Sequence, residues 1–262
     1  SRRPRRLTTS QSRRNGMIES PQNPQFKKWR SLLESKGVKR ESLAIVSGQK
    51  VVDELLKSQP SSIEEMILSS SKHLGYSPPV KASFLEDKLF AELDMFGTKS
   101  PLLVMKTPKI EDWRQTSSPK GLQLLLPFGD PANLGAALRN AAAFQVSEVV
   151  LLEEACNPFH PKCTRAASGA NWLLQISKGP SIKDLRDVDN LVAFDLEGED
   201  LTHFQWPAHP RLLVGDEGPG VPEDLNPTAR VKIKMSKEVE SLNAVAATAI
   251  ALFQFESHKK QS

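Results

Sequence analysis

Apolar residues recur at helical spacing at Phe26, Trp29, Leu32 and Leu33, while Lys27, Lys28, Arg30, Lys36, Lys39 and Arg40 lie on and after the same segment. This pattern predicts a basic amphipathic helix followed by a basic turn. Residues 43–46 read as a strand, and 49–57 as a helix that begins after Ser47-Gly48 and buries Val51, Val52, Leu55 and Leu56. A short strand at 66–68 precedes a Ser/Pro loop to Pro79, and a helix at 84–95 and a strand at 101–106 follow. Residues 110–120 mix Pro, Ser, Thr and charges without periodicity, which predicts a linker.

Beyond the linker the pattern changes character. Strands are predicted at 122–126, 149–152, 173–176, 191–194, 212–214 and 231–235, with helices at 134–144, 161–168, 182–187 and 242–253. Apolar strands alternating with helices predict an α/β fold built on a mainly parallel sheet covered on both faces. The expected organisation is a basic tail over 1–20, a small α/β domain over 21–107, a linker over 108–120 and a larger parallel-sheet domain over 121–258.

Composition narrows the class. The 262 residues are 39% hydrophobic and 25% charged, as in globular proteins. No run approaches the roughly 20 apolar residues of a membrane span, so no membrane partner is expected. Two cysteines cannot form a disulfide framework, which favours a reducing compartment. The segment from Cys156 through His160 to Cys163 raises the question of zinc; its spacing matches no common metal motif and lacks a fourth ligand, so no metal is expected. His160, His203 and His209 have no acid or nucleophile partner in sequence and read as structural or exposed.

The formal charge of +4 is unevenly spread. Residues 1–14 hold six arginines and no acid. Residues 15–107 carry 13 basic and 11 acidic side chains (+2), and 108–262 carry 16 and 20 (−4). The Arg/Ser-rich tail fits an organellar transit peptide, for plastid or mitochondrion, and equally a basic arm that binds RNA through counterion release. The cluster from Lys27 to Arg40 reads either as a solvated helix face or as a phosphate-contacting surface. RNA binding is therefore expected of the N-terminal part.

Three blocks carry the candidate chemistry: Asn133-Leu134-Gly135-Ala136-Ala137-Leu138-Arg139, Gly215-Asp216-Glu217-Gly218-Pro219-Gly220 and Glu240-Ser241-Leu242-Asn243. All three follow predicted strands, at the edge where open parallel sheets gather ligands. The glycines at 215, 218 and 220 permit sharp turns and close backbone approach. Their order is neither the G-x-G-x-x-G of a dinucleotide site nor that of a phosphate loop.

In this order, over roughly 121–257, the blocks resemble the signature of the SPOUT superfamily of RNA methyltransferases, in its TrmH-type (SpoU) 2′-O-ribose branch. The resemblance implies a parallel sheet whose C-terminal segment forms a trefoil knot, a rare exception to the rules of chain threading. It implies S-adenosylmethionine as methyl donor, held by Val214, Gly215, Gly220, Ile233, Met235 and Leu242, largely through backbone groups. It further implies Arg139 as the catalytic residue near the acceptor ribose, with Asn133 and Glu217 organising the site and Ser241 and Asn243 near donor and acceptor. A guanidinium is effectively always protonated, so charge stabilisation and orientation suit Arg139 better than proton abstraction. A homodimer acting on rRNA or tRNA is the implied assembly. Asn23-Pro24 before the basic helix, and Ser47-Gly48-Gln49-Lys50-Val51-Val52 in place of E-G-x-R-x-V, resemble the small ribosomal-protein-L30e-like domain that precedes many of these enzymes. Asp216 stands where Asn is frequent, Lys234 where Pro is frequent, and Ser236-Lys237 where a Gly-containing turn is usual; these departures bear on donor affinity. The competing expectations are a catalytically silent RNA-binding protein of the same fold and, more distantly, a base methyltransferase.

Overall fold

Separate hydrophobic clusters organise two compact units in the computed structural model, one of residues 16–108 with 159–161 and one of the remaining residues from 109 onward. The structure describes residues 16–115, 119–215, 220–236, 238–239 and 241–259. The arginine tail, Asp216, Glu217, Gly218, Lys237 and Glu240 lie outside the described residues.

In the first unit, β1 (Met17–Ile18), β2 (Leu43–Val46), β3 (Ile63–Ser69), β4 (Ala82–Leu85) and β5 (Leu102–Lys106) form a mixed sheet in the order β1-β4-β3-β5-β2. Helix α1 (Pro24–Ser31) starts where Asn23 Oδ1 accepts the amides of Gln25 at 2.8 Å and Phe26 at 3.3 Å, with Pro24 in the first turn. Its Phe26 and Trp29 are buried with Leu32 against Leu89 and Phe90 of α4 (Asp87–Leu93) and against Ile67 and Val104 of the sheet. Where the pattern predicts a basic turn, a second helix α2 (Ser35–Glu41) forms. It abuts the end of α1 so closely that a Cβ on Gly37 would lie 1.8 Å from the Ser31 carbonyl oxygen. Helix α3 (Gln49–Ser58) buries Val51, Val52 and Leu55.

The predicted helix at 84–95 begins later, because Phe84 and Leu85 pair in parallel with Leu68 and Ser69 of β3; ladder hydrogen bonds and the complete burial of Leu85 outweigh helical spacing. Asp87 then opens α4, its carboxylate accepting Ser69 Oγ at 2.6 Å and the Ser71 hydroxyl, and these bonds lower its pKa to about 2.

The second unit holds a sheet of seven strands in the order β12-β10-β11-β7-β8-β9-β6, with every pairing parallel. The strands are β6 (Glu111–Asp112), β7 (Gln123–Leu126), β8 (Glu148–Leu151), β9 (Ile176–Lys178), β10 (Leu191–Asp200), β11 (Arg211–Leu213) and β12 (Ala229–Lys232). Side chains alternate between two clusters: Leu124, Leu126, Val149, Val192 and Leu212 enter one, and Leu125, Val150, Ala193 and Leu213 the other. Burial on both faces explains the nearly continuous apolar runs. Helices α5 (Pro131–Ala143), α6 (Pro161–Ala167) and α7 (Ala244–Lys259) contribute Leu134, Cys163 and Ala251 to the first cluster.

Several predicted boundaries move. The strand predicted at 173–176 is β9 at Ile176–Lys178, since residues 170–172 form a 3₁₀ turn that leaves Leu173 exposed. The predicted helix at 182–187 reduces to a 3₁₀ turn over Ile182–Asp184, and Asp187 and Asn190 turn the chain with positive φ. Within the predicted linker, Glu111–Asp112 adds an edge strand to β9.

Candidate active site

The chain runs from β7 outward through β8 to β9, then returns to place β10 on the far side of β11. In open α/β sheets such a reversal marks the usual ligand position, outside the carboxyl ends of the strands beside it, here β7 and β11. The first and second blocks leave those two adjacent strands, and the third follows β12.

In the first block, Asp130 caps α5: its Oδ1 accepts the Asn133 amide at 2.9 Å, and Pro131 occupies the first helical position. Leu134, Ala137, Leu138 and Ala141 face the core, whereas Asn133 is half-buried and Arg139 is exposed. Close packing fixes this helix, since a Cβ on Gly135 would lie 2.4 Å from the Cys163 carbonyl oxygen and 2.7 Å from Ala166 Cβ on α6. The roles of Asp130 and Gly135 were not anticipated. Asp-Pro ahead of an apolar helical run signals the cap; nothing in sequence signals the α5–α6 approach.

In the second block, Val214 is buried, and its amide donates to the Leu125 carbonyl at 3.4 Å. Beyond it the chain folds back on itself: a Cβ on Gly215 would meet Gly220 backbone carbon at 2.7 Å and the Val221 nitrogen at 2.9 Å. Gly220 has φ +63°, so this position favours glycine over any residue with a side chain. The catalytic candidate Glu217 lies in the undescribed part of this loop.

In the third block, Ile233 and Met235 are half-buried, while Lys234, Ser236, Ser241, Leu242 and Asn243 are exposed. Asn243 Oδ1 accepts the amides of Val245 at 3.0 Å and Ala246 at 3.2 Å, so it caps α7. Val214, Ile233, Leu134, Ala244 and Val245 all pack in one hydrophobic cluster. Residues from positions 134, 214, 233 and 244 thus converge. Lys27, Lys28, Arg30, Lys36, Lys39 and Arg40 are all exposed, on α1 and α2 of the first unit.

Two other groups near the first block have defined electrostatics. The Cys156 and Cys163 thiols hydrogen-bond to each other; this bond lowers the pKa of half-buried Cys156, and the same bond together with burial raises that of Cys163. Burial alone would raise the Glu154 carboxyl, but Ser181 Oγ at 2.5 Å and the Ile182 amide at 3.1 Å outweigh it and lower its pKa. Among the described residues, no three His, Cys, Asp or Glu side chains are placed to hold a metal ion, and no helix is long and apolar enough to cross a membrane.

Folded-back glycine backbone beside half-exposed apolar side chains suits an adenine ring and a sulfonium carried on a short chain. A parallel sheet with the three blocks following its strands is the architecture that the SPOUT resemblance of the sequence implies. Residues 124–253 match the SpoU rRNA Methylase family, so this part of the chain is a SpoU methylase domain. It is 38% identical over 252 residues to the ribosomal RNA small subunit methyltransferase G 2 of Syntrophobacter fumaroxidans, a match covering 94% of this chain and 50% of that protein. The chain therefore spans about half the length of that relative. It is 24% identical over 245 residues to the 23S rRNA (guanosine(2553)-2′-O)-methyltransferase RlmP of Bacillus subtilis, covering 90% of this chain and 97% of that one. Its fold superposes on an AdoMet-bound rRNA methyltransferase from Sinorhizobium meliloti with a TM-score of 0.76 and 22% identity, covering 92% of this chain and 97% of the other.

Proposed function

We propose that this protein transfers the methyl group of S-adenosylmethionine to a ribose 2′-hydroxyl of structured RNA, either rRNA or tRNA. One observation carries the reading: three blocks separated by up to about a hundred positions follow strands of one parallel sheet, and Leu134 in the first block shares one cluster with Val214 and Ala244, which adjoin the second and third. The related proteins named as rRNA methyltransferases support it.

The sulfonium donor supplies an already activated methyl group. The 2′-oxygen attacks that carbon in line, the O–C bond forms as the S–C bond breaks, and the hydroxyl proton leaves. What the protein must add is alignment of the two atoms and stabilisation of charge on oxygen. Arg139 is exposed, has fixed donors and makes no hydrogen bond or ion pair with another described residue, so its guanidinium can face a ribose oxygen or adjacent phosphate. In this reading Asn133, Glu217, Ser241 and Asn243 would supply the remaining polar groups, as the signature implies. The backbone near Gly215, Gly220 and Leu242, with Val214, Ile233 and Met235 as walls, would hold the donor.

The proposal includes a knotted path through the second and third blocks, an L30e-like reading of the first unit with Lys27 to Arg40 as its RNA surface, and a homodimer. Ile250 and Phe253, 42% and 63% exposed on α7 next to the third block, give the dimer its support, because large apolar side chains grouped in this way mark interaction surfaces.

Calorimetry with S-adenosylmethionine and transfer of labelled methyl to unmodified RNA test the reading. Donor binding, alkali-resistant linkages in the product and a loss of transfer on the order of 10²- to 10³-fold in Arg139→Ala are expected, the cost typical of removing one transition-state donor. Absence of donor binding would instead indicate a silent RNA-binding protein, and full transfer by Arg139→Ala would remove the catalytic assignment.

A further inference from the structure

Cys156 and Cys163 are the only cysteines of the chain, and the proposed transfer uses neither. Cys156 is half-buried in the loop after β8, and Cys163 is fully buried in the first turn of α6. A turn at 158–160 brings the two thiols into hydrogen-bonding contact within one hydrophobic cluster. Asn171 fixes this arrangement from a third element: its Nδ2 donates to the Pro158 carbonyl and faces Cys163 Sγ at 3.9 Å. The hydrogen bond from Cys163 lowers the Cys156 pKa, while burial and the nearby Asp130 carboxylate act against it. Cys156 is thus the accessible thiol with the greater thiolate character, and the thiolate is the reactive form. Cys163 stands behind it, within reach of its sulfur.

Each cysteine also touches the first block through its own backbone. The Cys156 amide donates to the Phe128 carbonyl at 3.0 Å, in the loop that leads to the Asp130 cap of α5. The Cys163 carbonyl oxygen is the atom that a Cβ on Gly135 would meet first. A disulfide holds its sulfurs at about 2.05 Å, closer than any hydrogen-bonded pair of thiols. Closing that gap moves the loop after β8 and α6 toward each other, and the contacts at Phe128 and Gly135 pass the movement to both ends of the first turn of α5. Arg139 lies one turn beyond Gly135.

We propose that Cys156 and Cys163 form a reversible thiol–disulfide site that, when oxidised, displaces the first block and lowers methyl transfer. The oxidant is a small disulfide of the glutathione class. The Cys156 thiolate attacks one of its sulfurs, forming a mixed disulfide and releasing one thiolate. Cys163 then gives up its proton and attacks Cys156 Sγ, releasing the second. Two protein thiols are thereby oxidised to one disulfide, and the small disulfide is reduced to two thiols. Disulfides in reducing compartments are usually transient and serve catalysis or redox sensing, which matches a pair of this kind. The effect on transfer rests on the methyltransferase reading above; formation of the bond does not.

The test incubates the full chain with oxidised glutathione and then with excess dithiothreitol. Oxidation should remove both free thiols, lower the intact mass by two hydrogen atoms with no glutathione retained, and leave a single chain on a gel without reductant; dithiothreitol should restore both thiols. Hydrogen exchange of the α5 amides should differ between the two states. Transfer of labelled methyl to unmodified RNA should fall about 10- to 100-fold on oxidation, the scale of a small misplacement at a reacting centre, and recover on reduction. Cys156→Ser should keep its transfer in either condition. Cys163→Ser should stop at a glutathione adduct on Cys156; if that variant does not fold, the mass and thiol count of the unaltered chain decide alone. A lasting adduct on the unaltered chain, a disulfide between chains, or two thiols that stay free overturns the site. A disulfide that leaves α5 exchange or transfer as in the reduced protein overturns its coupling to the first block. Failure of the reduced chain to methylate RNA would count against the proposed activity, while mass and exchange would still decide this inference.

Discussion

Asn243 has one role in the fold and a second that is proposed. Its Oδ1 closes the first turn of α7, and its position in the third block puts it among the residues expected to face donor and acceptor. The two roles can be separated by substitution. Asn243→Ala should lose about 1 kcal/mol of stability, as removal of an N-cap does, whereas Asn243→Ser should keep the cap. Chemical denaturation and methyl-transfer assays on both variants check this: transfer should fall in both and stability in Ala alone. A serine variant with full transfer would assign Asn243 to the cap only. At this scale a purely local signal exists for the cap of α1, since Asn23 stands directly before Pro24 and an apolar helical run, although in sequence the pair served only as a family likeness. The sequence was silent on Gly135, whose reason lies 28 positions away at Cys163.

Among the elements, the folded-back turn after β11 depends on two glycines for different reasons. Gly220 requires a positive φ, and Gly215 requires the space that a Cβ would take from Gly220 and Val221 backbone. Backbone cannot swing aside as a flexible side chain can. Gly215→Ala should therefore open the turn and weaken S-adenosylmethionine binding at least about tenfold, on the order of 1.4 kcal/mol, with thermal stability of the unit reduced by roughly 1–3 kcal/mol as overpacking does. Calorimetry would read the first and denaturation the second; unchanged donor affinity would detach this turn from the donor site. The elements themselves were legible wherever burial gave a clean signal, as in the apolar run at 122–126. They were less so where pairing overrode periodicity: Phe84 and Leu85 have helical spacing, yet the β3 ladder holds them in a strand.

For the whole molecule, the exposed Ile250 and Phe253 of α7 give a direct test of assembly. Phe253→Glu should shift sedimentation from dimer to monomer and lower transfer, because a charge in a desolvated interface leaves the partner surface unpaired. A variant that stays dimeric, or an unaltered protein that is monomeric, sinks the homodimer proposal. The sequence by itself determined the α/β class, the parallel sheet and the likeness of its three blocks to a methyltransferase signature, because periodicity, turn glycines and helix caps are encoded over a few neighbouring residues. Only the tertiary structure decided that Leu134, Val214, Ile233 and Ala244 share one cluster, that the order of the seven strands reverses beside β7, and that α6 lies against α5 at Gly135. Each of these joins residues that are distant along the chain, and local propensity carries no term for such contacts; the hydrophobic burial of both sheet faces supplies it.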